Sequence, residues 1–185
     1  MSNPIPLSRK LLSLCIVLAV IVLDQLSKWA VTELAIRPRL GGEEPIGLIN
    51  WLMQAPERLG HASIEILPFY NLAMVWNEGV SFGMMKTGHE LMPLILAGFS
   101  LALSFAFMLW MFATRDKLTA LSLALIVGGA LGNVIDRMRF GAVIDFMDVH
   151  AAGYHWPAFN FADSCIVLGV GVLILSSFFF QKGAS

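Results

Sequence analysis

The sequence predicts a mainly α-helical membrane protein with four transmembrane helices, a small extracytoplasmic β-sheet and an interfacial loop or helix. Three observations lead there. Of the 185 residues, 57% are hydrophobic and 14% charged, with a mean hydropathy of +0.75, whereas a soluble domain carries about 25% charged residues. The charges gather into short clusters that separate uncharged runs, each close to the ~20 residues that a helix needs to cross a bilayer core. Two segments outside those runs have the β-branched and aromatic composition of strands.

Residues 11–30 make the first span, with Lys28 and Trp29 near one interface and Asp24 about one turn deeper. Arg9-Lys10 ahead of an apolar run resembles a cleaved secretory leader. No small-residue cleavage site follows and the helical pattern runs on through Asp24, so we read a retained span. Residues 91–113 form the second span, with Pro93 in the first turn, where its missing N–H costs little. The polar turn Thr114-Arg-Asp-Lys117 leads into the third span, 118–135, and 164–180 is the fourth. The whole chain, 1–185, reads as a single domain.

Four spans put both termini on one side. Arg9, Lys10, Arg115, Lys117 and Lys182 fall in short segments there, while Arg37, Arg39, Arg58, Lys86, Arg137 and Arg139 are spread over two longer loops. Density of basic residues near span ends places the termini in the cytoplasm. The outer sheet is expected from residues 64–76 and 140–149; in the latter, Ile144 and Phe146 alternate with Asp145 and Met147. Within the Gly- and Pro-punctuated stretch 37–63, residues 46–53 either lie flat in the interface or form a mobile loop.

The net charge of −1 excludes an electrostatic footprint for nucleic acid. Cys15 and Cys165 both sit in apolar runs and read as packing residues rather than a disulfide or a lipid-attachment site. His150, His155, Asp145 and Asp148 match no closed zinc spacing, so no metal is expected and the histidines read as interfacial.

The chemistry concentrates in residues 128–163. Charges at a helix centre cost roughly 2.5–3.5 kcal/mol each on insertion scales, so so many polar groups in so apolar a chain imply a function. Asn133, Asp136 and Arg137 share a helical face behind Gly128, Gly129 and Gly132, which let another helix approach. Arg137 serves as a clamp beside Asp136 or as a donor to an extended substrate's carbonyl. Asp24 and Lys28, four apart, form either a structural ion pair or an orienting shell.

Asn160 is placed to cap the fourth span, with Asp163 in its first turn, where capping alone would account for the acid. Asp145 sits on a strand and has no capping role. Two carboxyls from separate elements, converging at a bilayer surface, suit aspartic proteolysis: one ionised acid takes a proton from water while its protonated partner donates to the amide. The helix dipole makes Asp163 the more easily ionised of the two. An ion- or proton-coupled transporter is the competing reading, but it wants acids near the midplane. A structural subunit that binds a partner without cutting it is another.

Five stretches in order resemble lipoprotein signal peptidase (signal peptidase II): Asp24-Gln-Leu-Ser-Lys28, Asn77-Glu-Gly-Val-Ser-Phe82, 128–133 through Asp136-Arg137, Val143-Ile-Asp-Phe146 and Phe159-Asn-Phe-Ala-Asp163. The resemblance implies a four-helix aspartic endopeptidase of the bacterial inner membrane. Such enzymes remove signal peptides from prolipoproteins, before a cysteine carrying diacylglycerol, and are targets of globomycin-type cyclic peptides. By position it implies Asp145 and Asp163 as the catalytic dyad and Asn77, Asn133, Arg137 and Asn160 as orienting residues. Asp24, Lys28, Asp136, Gly79 and Phe82 would support them. It implies no cofactor or metal, lipidated substrates and membrane lipids as partners, a monomer, and an active site toward the outer face. Stretch 37–63 is longer than the resemblance leads one to expect, and Ser81 stands where alanine is more usual.

Overall fold

The computed structural model describes residues 5–41, 44–79 and 91–180. Four helices in it are long and apolar enough to cross a membrane. Helix α1 (Leu7–Trp29) buries Ser13, Val17, Val20, Asp24, Gln25 and Lys28. Their spacing of three and four residues forms one inward stripe, while Leu11, Leu18 and Val22 face outward. Helix α4 (Met92–Ala113) touches the bundle through a narrower seam, Ala97, Ser104 and Met111, one residue per two turns.

Helix α5 (Lys117–Phe140) is the central post. It starts where the Asp116 carboxylate accepts the Thr119 amide at 2.6 Å and stops at Gly141, whose φ of 67° closes the helix onto the Arg137 carbonyl. Its glycines permit close approach on two sides. A Cβ on Gly128 would fall 2.7 Å from Val20 Cβ of α1, and one on Gly129 would fall 2.4 Å from the Ala162 carbonyl of α6 (Phe161–Phe180). The membrane-level core gathers Val17, Met111, Leu123, Ala124 and Val127 between α1, α4 and α5.

The first span is longer than its apolar run suggests. α1 continues through a π-helical segment (Ala30–Ile36) into α2 (Arg37–Leu40), 34 helical residues in all. At 1.5 Å per residue this is about 51 Å, some 20 Å beyond a hydrocarbon core. The projecting part is held by the buried Glu33 carboxylate, which pairs with Arg37 at 2.5 Å and accepts the Ile46 amide at 3.0 Å. Trp29 donates to the Ile46 carbonyl at 2.8 Å. The fourth span likewise starts at residue 161 rather than 164.

The sheet has four antiparallel strands in the order β1-β2-β3-β4. The predicted strand over 64–76 divides into β1 (Ser63–Leu67) and β2 (Tyr70–Asn77), because Pro68 and Phe69 turn the chain into a hairpin. Strand β3 (Val143–Ala151) pairs with β2 in the register Val75↔Asp145 and Asn77↔Val143. It then turns through Ala152 and Gly153, both at positive φ, into β4 (Tyr154–His155). The expected unlike faces of β3 are both covered at its start, where Ile144, Asp145 and Phe146 are all buried.

Residues 48–53, within the stretch read as interfacial or as a mobile loop, lie in helix α3 (Leu48–Gln54). Its Trp51 is buried with Ile36, Met74, Ile144 and Phe146, while Ile49 and Met53 on the opposite face are 71% and 81% exposed.

Candidate active site

Three chain segments converge where α5 ends. α1 supplies Asp24 and Lys28, β3 supplies Asp145, and the first turn of α6 supplies Asp163. Asn160 joins the two candidate acids. Its amide Nδ2 donates to Asp145 Oδ1 at 2.8 Å, its Oδ1 accepts the Asp163 amide at 2.9 Å, and its own backbone N–H donates to Asp163 Oδ2 at 3.1 Å. The last two bonds make a reciprocal capping box at the α6 N-terminus. One fully buried side chain thus caps the helix and sets both carboxyls.

A second amide on each side completes the frame. Asn77 lies diagonal to Asp145 across the β2–β3 ladder and donates to its Oδ2 at 3.0 Å. Asn133, near the end of α5, donates to Asp163 Oδ1 at 2.8 Å and accepts from Asn160 at 3.1 Å. Gly79 donates its amide to Asn77 Oδ1 at 2.8 Å and holds a φ of 88°. That backbone angle favours glycine, while a Cβ there would fall 2.0 Å from Leu96 Cδ1, a side-chain tip that could shift aside.

Asp24, Lys28 and Asp136, all inaccessible to solvent, form a triad beneath this frame. Lys28 Nζ lies 2.8 Å from Asp24 Oδ2, 2.7 Å from Asp136 Oδ2 and 3.2 Å from Asn133 Oδ1. The carboxylates reach further: Asp24 accepts the Ala162 amide at 3.1 Å on the oxygen Lys28 does not use, and Asp136 Oδ2, already paired with Lys28, also accepts the Ile144 amide at 3.1 Å. Each of those amides belongs to the residue immediately before a candidate acid. The partner of Asp136 is therefore Lys28 rather than the adjacent Arg137. Arg137 is half-buried, donates to the Asn133 carbonyl at 3.4 Å, and leaves its Nε buried without a hydrogen-bond partner.

Burial first, and then the charge of Asp163, push the Asp145 carboxyl up to about 7, against the opposing hydrogen bonds from Asn77 and Asn160. Asp163 is only partly buried. Two carboxyls in unequal surroundings can hold one proton between them with one group ionised, which is the requirement for concerted acid–base work on an amide.

Of the predicted residues, Asp145, Asp163, Asn77, Asn133, Asn160, Asp24, Lys28, Asp136 and Gly79 are brought together and Arg137 borders them. Phe82 lies outside the described residues. Asp148 belongs to a separate group, accepting from Asn71 at 2.9 Å and facing His155 at 2.8 Å, with the His150 and His155 rings stacked at 4.7 Å. Among the described residues, no three or more His, Cys, Asp or Glu side chains are placed to hold a metal ion.

Sequence reasoning missed Gln25 and Arg139. Gln25 donates to Asp136 at 2.9 Å and to Asp24 at 3.2 Å, and accepts from Arg139 at 3.2 Å. The Arg139 guanidinium lies over Trp51 at 4.3 Å and Phe140 at 4.5 Å and donates to the Trp51 carbonyl. The available signal was a glutamine beside Asp24 in an apolar run, and an arginine one turn beyond Asp136.

The family model described as signal peptidase (SPase) II matches residues 16–179. The chain belongs to the signal peptidase II family. A lipoprotein signal peptidase of Polynucleobacter necessarius is 39% identical over 163 residues, covering 87% of this chain and 85% of that one. That of Burkholderia thailandensis is 43% identical over 122 residues, covering 65% and 73%. Among solved structures, a bacterial membrane enzyme determined by the in meso method at 2.3 Å superposes with a TM-score of 0.68 at 23% identity, over 100% of this chain and 96% of that one. It establishes the fold. As a signal peptidase II family member, the chain is a multi-pass bacterial membrane peptidase.

Proposed function

We propose that this peptidase removes the signal peptide from diacylglyceryl-modified prolipoproteins, cutting before the lipidated cysteine, with Asp145 and Asp163 as its acid–base dyad. The observation that carries the dyad is the bridge through Asn160, which touches both carboxyls and no other acid. The names of the relatives support the substrate class.

In this reading Asp145 holds the shared proton and Asp163, wetter and at a helix N-terminus, is ionised. Water adds to the scissile carbonyl as Asp163 takes its proton and Asp145 protonates the carbonyl oxygen. Collapse of the gem-diol breaks the C–N bond, with Asp163 returning its proton to the leaving nitrogen and Asp145 regaining one from the diol. The dyad ends as it began, holding one proton. Arg137, with an unpartnered Nε at the edge, holds a backbone carbonyl of the extended substrate. Asn77, Asn133 and Asn160 orient the acids.

The acids lie at the ends of the spans rather than midway, which suits a substrate presented from the bilayer and disfavours the transporter reading. Basic-residue density supports cytoplasmic termini and an outward-facing site. Glu57→Cys should then be labelled by an impermeant maleimide added outside spheroplasts, and protection of that site would reverse the orientation. The enzyme acts as a monomer and is a target of globomycin-type peptides.

The test is cleavage of a diacylglyceryl-modified prolipoprotein by purified protein, beside Asp145→Asn and Asp163→Asn shown to be folded. Each should lose activity by at least about 10². Near-normal turnover by either folded variant would remove that residue from the dyad.

A further inference from the structure

The end of the bundle remote from the carboxyls carries a feature that peptide cleavage does not use. A groove of about 480 Å³ opens between the first turns of α1 and α5, its lining including Arg9, Lys117, Leu12, Ile16 and Leu121. Its lining divides along the bundle axis. Arg9 and Lys117 stand at the helix starts, while Leu12, Ile16 and Leu121 continue toward the middle of the membrane. Arg9 and Asp24 are fifteen residues apart on α1, so the basic rim of the groove is about 22 Å from the ionic triad.

Neither Arg9 nor Lys117 shares an ion pair with another described residue, although the Asp116 carboxylate adjoins Lys117 in sequence. Asp116, the nearest acid in sequence, is committed to the Thr119 amide at 2.6 Å and lines a different groove with Trp110 and Ser177. Arg9 uses one guanidinium nitrogen on the Arg115 carbonyl at 2.5 Å, which ties the α4–α5 turn to α1 and fixes the guanidinium at the rim with further donors to spare. Lys10 turns away, its ammonium 5.9 Å from the Phe112 ring centroid.

We infer that this groove is a seat for one anionic phospholipid, its phosphate held by Arg9 and Lys117 and an acyl chain laid along Leu12, Ile16 and Leu121. Two cations above an apolar channel at the end of a membrane span complement an amphiphile with one negative head. A second copy of this chain would have to bring both an acid and an apolar ridge. The bound lipid would brace α1 against α5 from the end opposite the active site.

The experiment is native mass spectrometry of the full-length chain titrated with phosphatidylglycerol, phosphatidylcholine of the same acyl chains, and inorganic phosphate. Phosphatidylglycerol should bind on the order of 10- to 30-fold more tightly than phosphatidylcholine, as two basic groups at a headgroup would give. Arg9→Gln with Lys117→Gln should reduce that preference to within about 3-fold, Arg39→Gln at the opposite end should leave it intact, and Leu12→Trp should weaken both lipids. Thermal midpoints and cleavage in lipid-free detergent, unchanged in all variants, would show that the bundle is intact. Equal binding of the two lipids, or a preference that survives loss of both cations, would overturn the inference. So would displacement by millimolar phosphate with no effect of Leu12→Trp, or a dimer that Leu12→Trp dissolves.

Discussion

Asp145 is buried on a strand, hydrogen-bonded by two amides and facing a second acid, and its stability consequence follows from linkage. Its carboxyl, pushed up from 3.8 to about 7, keeps in the folded state a proton that the unfolded chain releases. That contribution is complete below about pH 4 and is lost as pH rises to about 7. Three pH units correspond to about 4 kcal/mol at most, since the group is coupled to Asp163. The apparent thermal midpoint of the unmutated protein should therefore fall across pH 4–7 relative to Asp145→Asn, and the difference should flatten above pH 7. A difference that stays constant with pH would mean that Asp145 ionises like an ordinary surface acid. The cost of burying this group is consistent with a site that trades stability for chemistry.

At the scale of elements, α6 is positioned by its contact with α5. A methyl group on Gly129 would meet the Ala162 carbonyl at 2.4 Å and Ile166 at 2.8 Å, and backbone cannot yield as a side-chain tip can. Ala162 adjoins Asp163 and donates to Asp24, so displacement there moves a candidate acid. Gly129→Ala should lower stability by about 1–3 kcal/mol and reduce cleavage at unchanged substrate lipidation. Gly171→Ala, with nothing within 4 Å of the added methyl, should be neutral or stabilising, because alanine is favoured over glycine within a helix by about 1 kcal/mol. Thermal scans and turnover of the two variants side by side decide it; equal effects would mean that close approach at Gly129 is not what seats α6.

For the molecule as a whole, the buried Lys28 triad joins α1, α5, β3 and α6 in one ionic unit, so that membrane helices and sheet share a single anchor. Removing the cation leaves two carboxylates with no solvent access. Lys28→Met should cost about 3–5 kcal/mol, seen as a fall in the detergent midpoint. Neutralising both acids as well, with Asp24→Asn and Asp136→Asn, should recover part of the loss. A single variant as stable as the unmutated chain would sink the anchor role.

How much of this was legible beforehand differs by residue. Asn160 and Asp163 could be read as a helix start because capping is local: the donor and acceptor lie three residues apart. The Gly128-Gly129-Gly132 run announced close helix contact for the same reason, without saying which helices would come. The spans were readable from apolar runs, since hydrocarbon selects on composition alone. The strand over 64–76 became a hairpin, a break that Pro68 signalled but apolar flanks concealed.

The partner of Asp136 could not be read, because Arg137 beside it in sequence points elsewhere and Lys28 arrives from 108 residues away. Nor could the links of Gln25 and Arg139 to α3, or the register that sets Asn77 diagonal to Asp145. The sequence by itself determined a four-span membrane chain with two acids on separate elements and an asparagine capping the helix that carries one of them, since periodicity, capping and hydropathy act over a few residues. Only the tertiary structure decided that one buried asparagine joins those acids above a shared lysine, because hydrogen bonds and ion pairs between distant segments depend on where packing brings them.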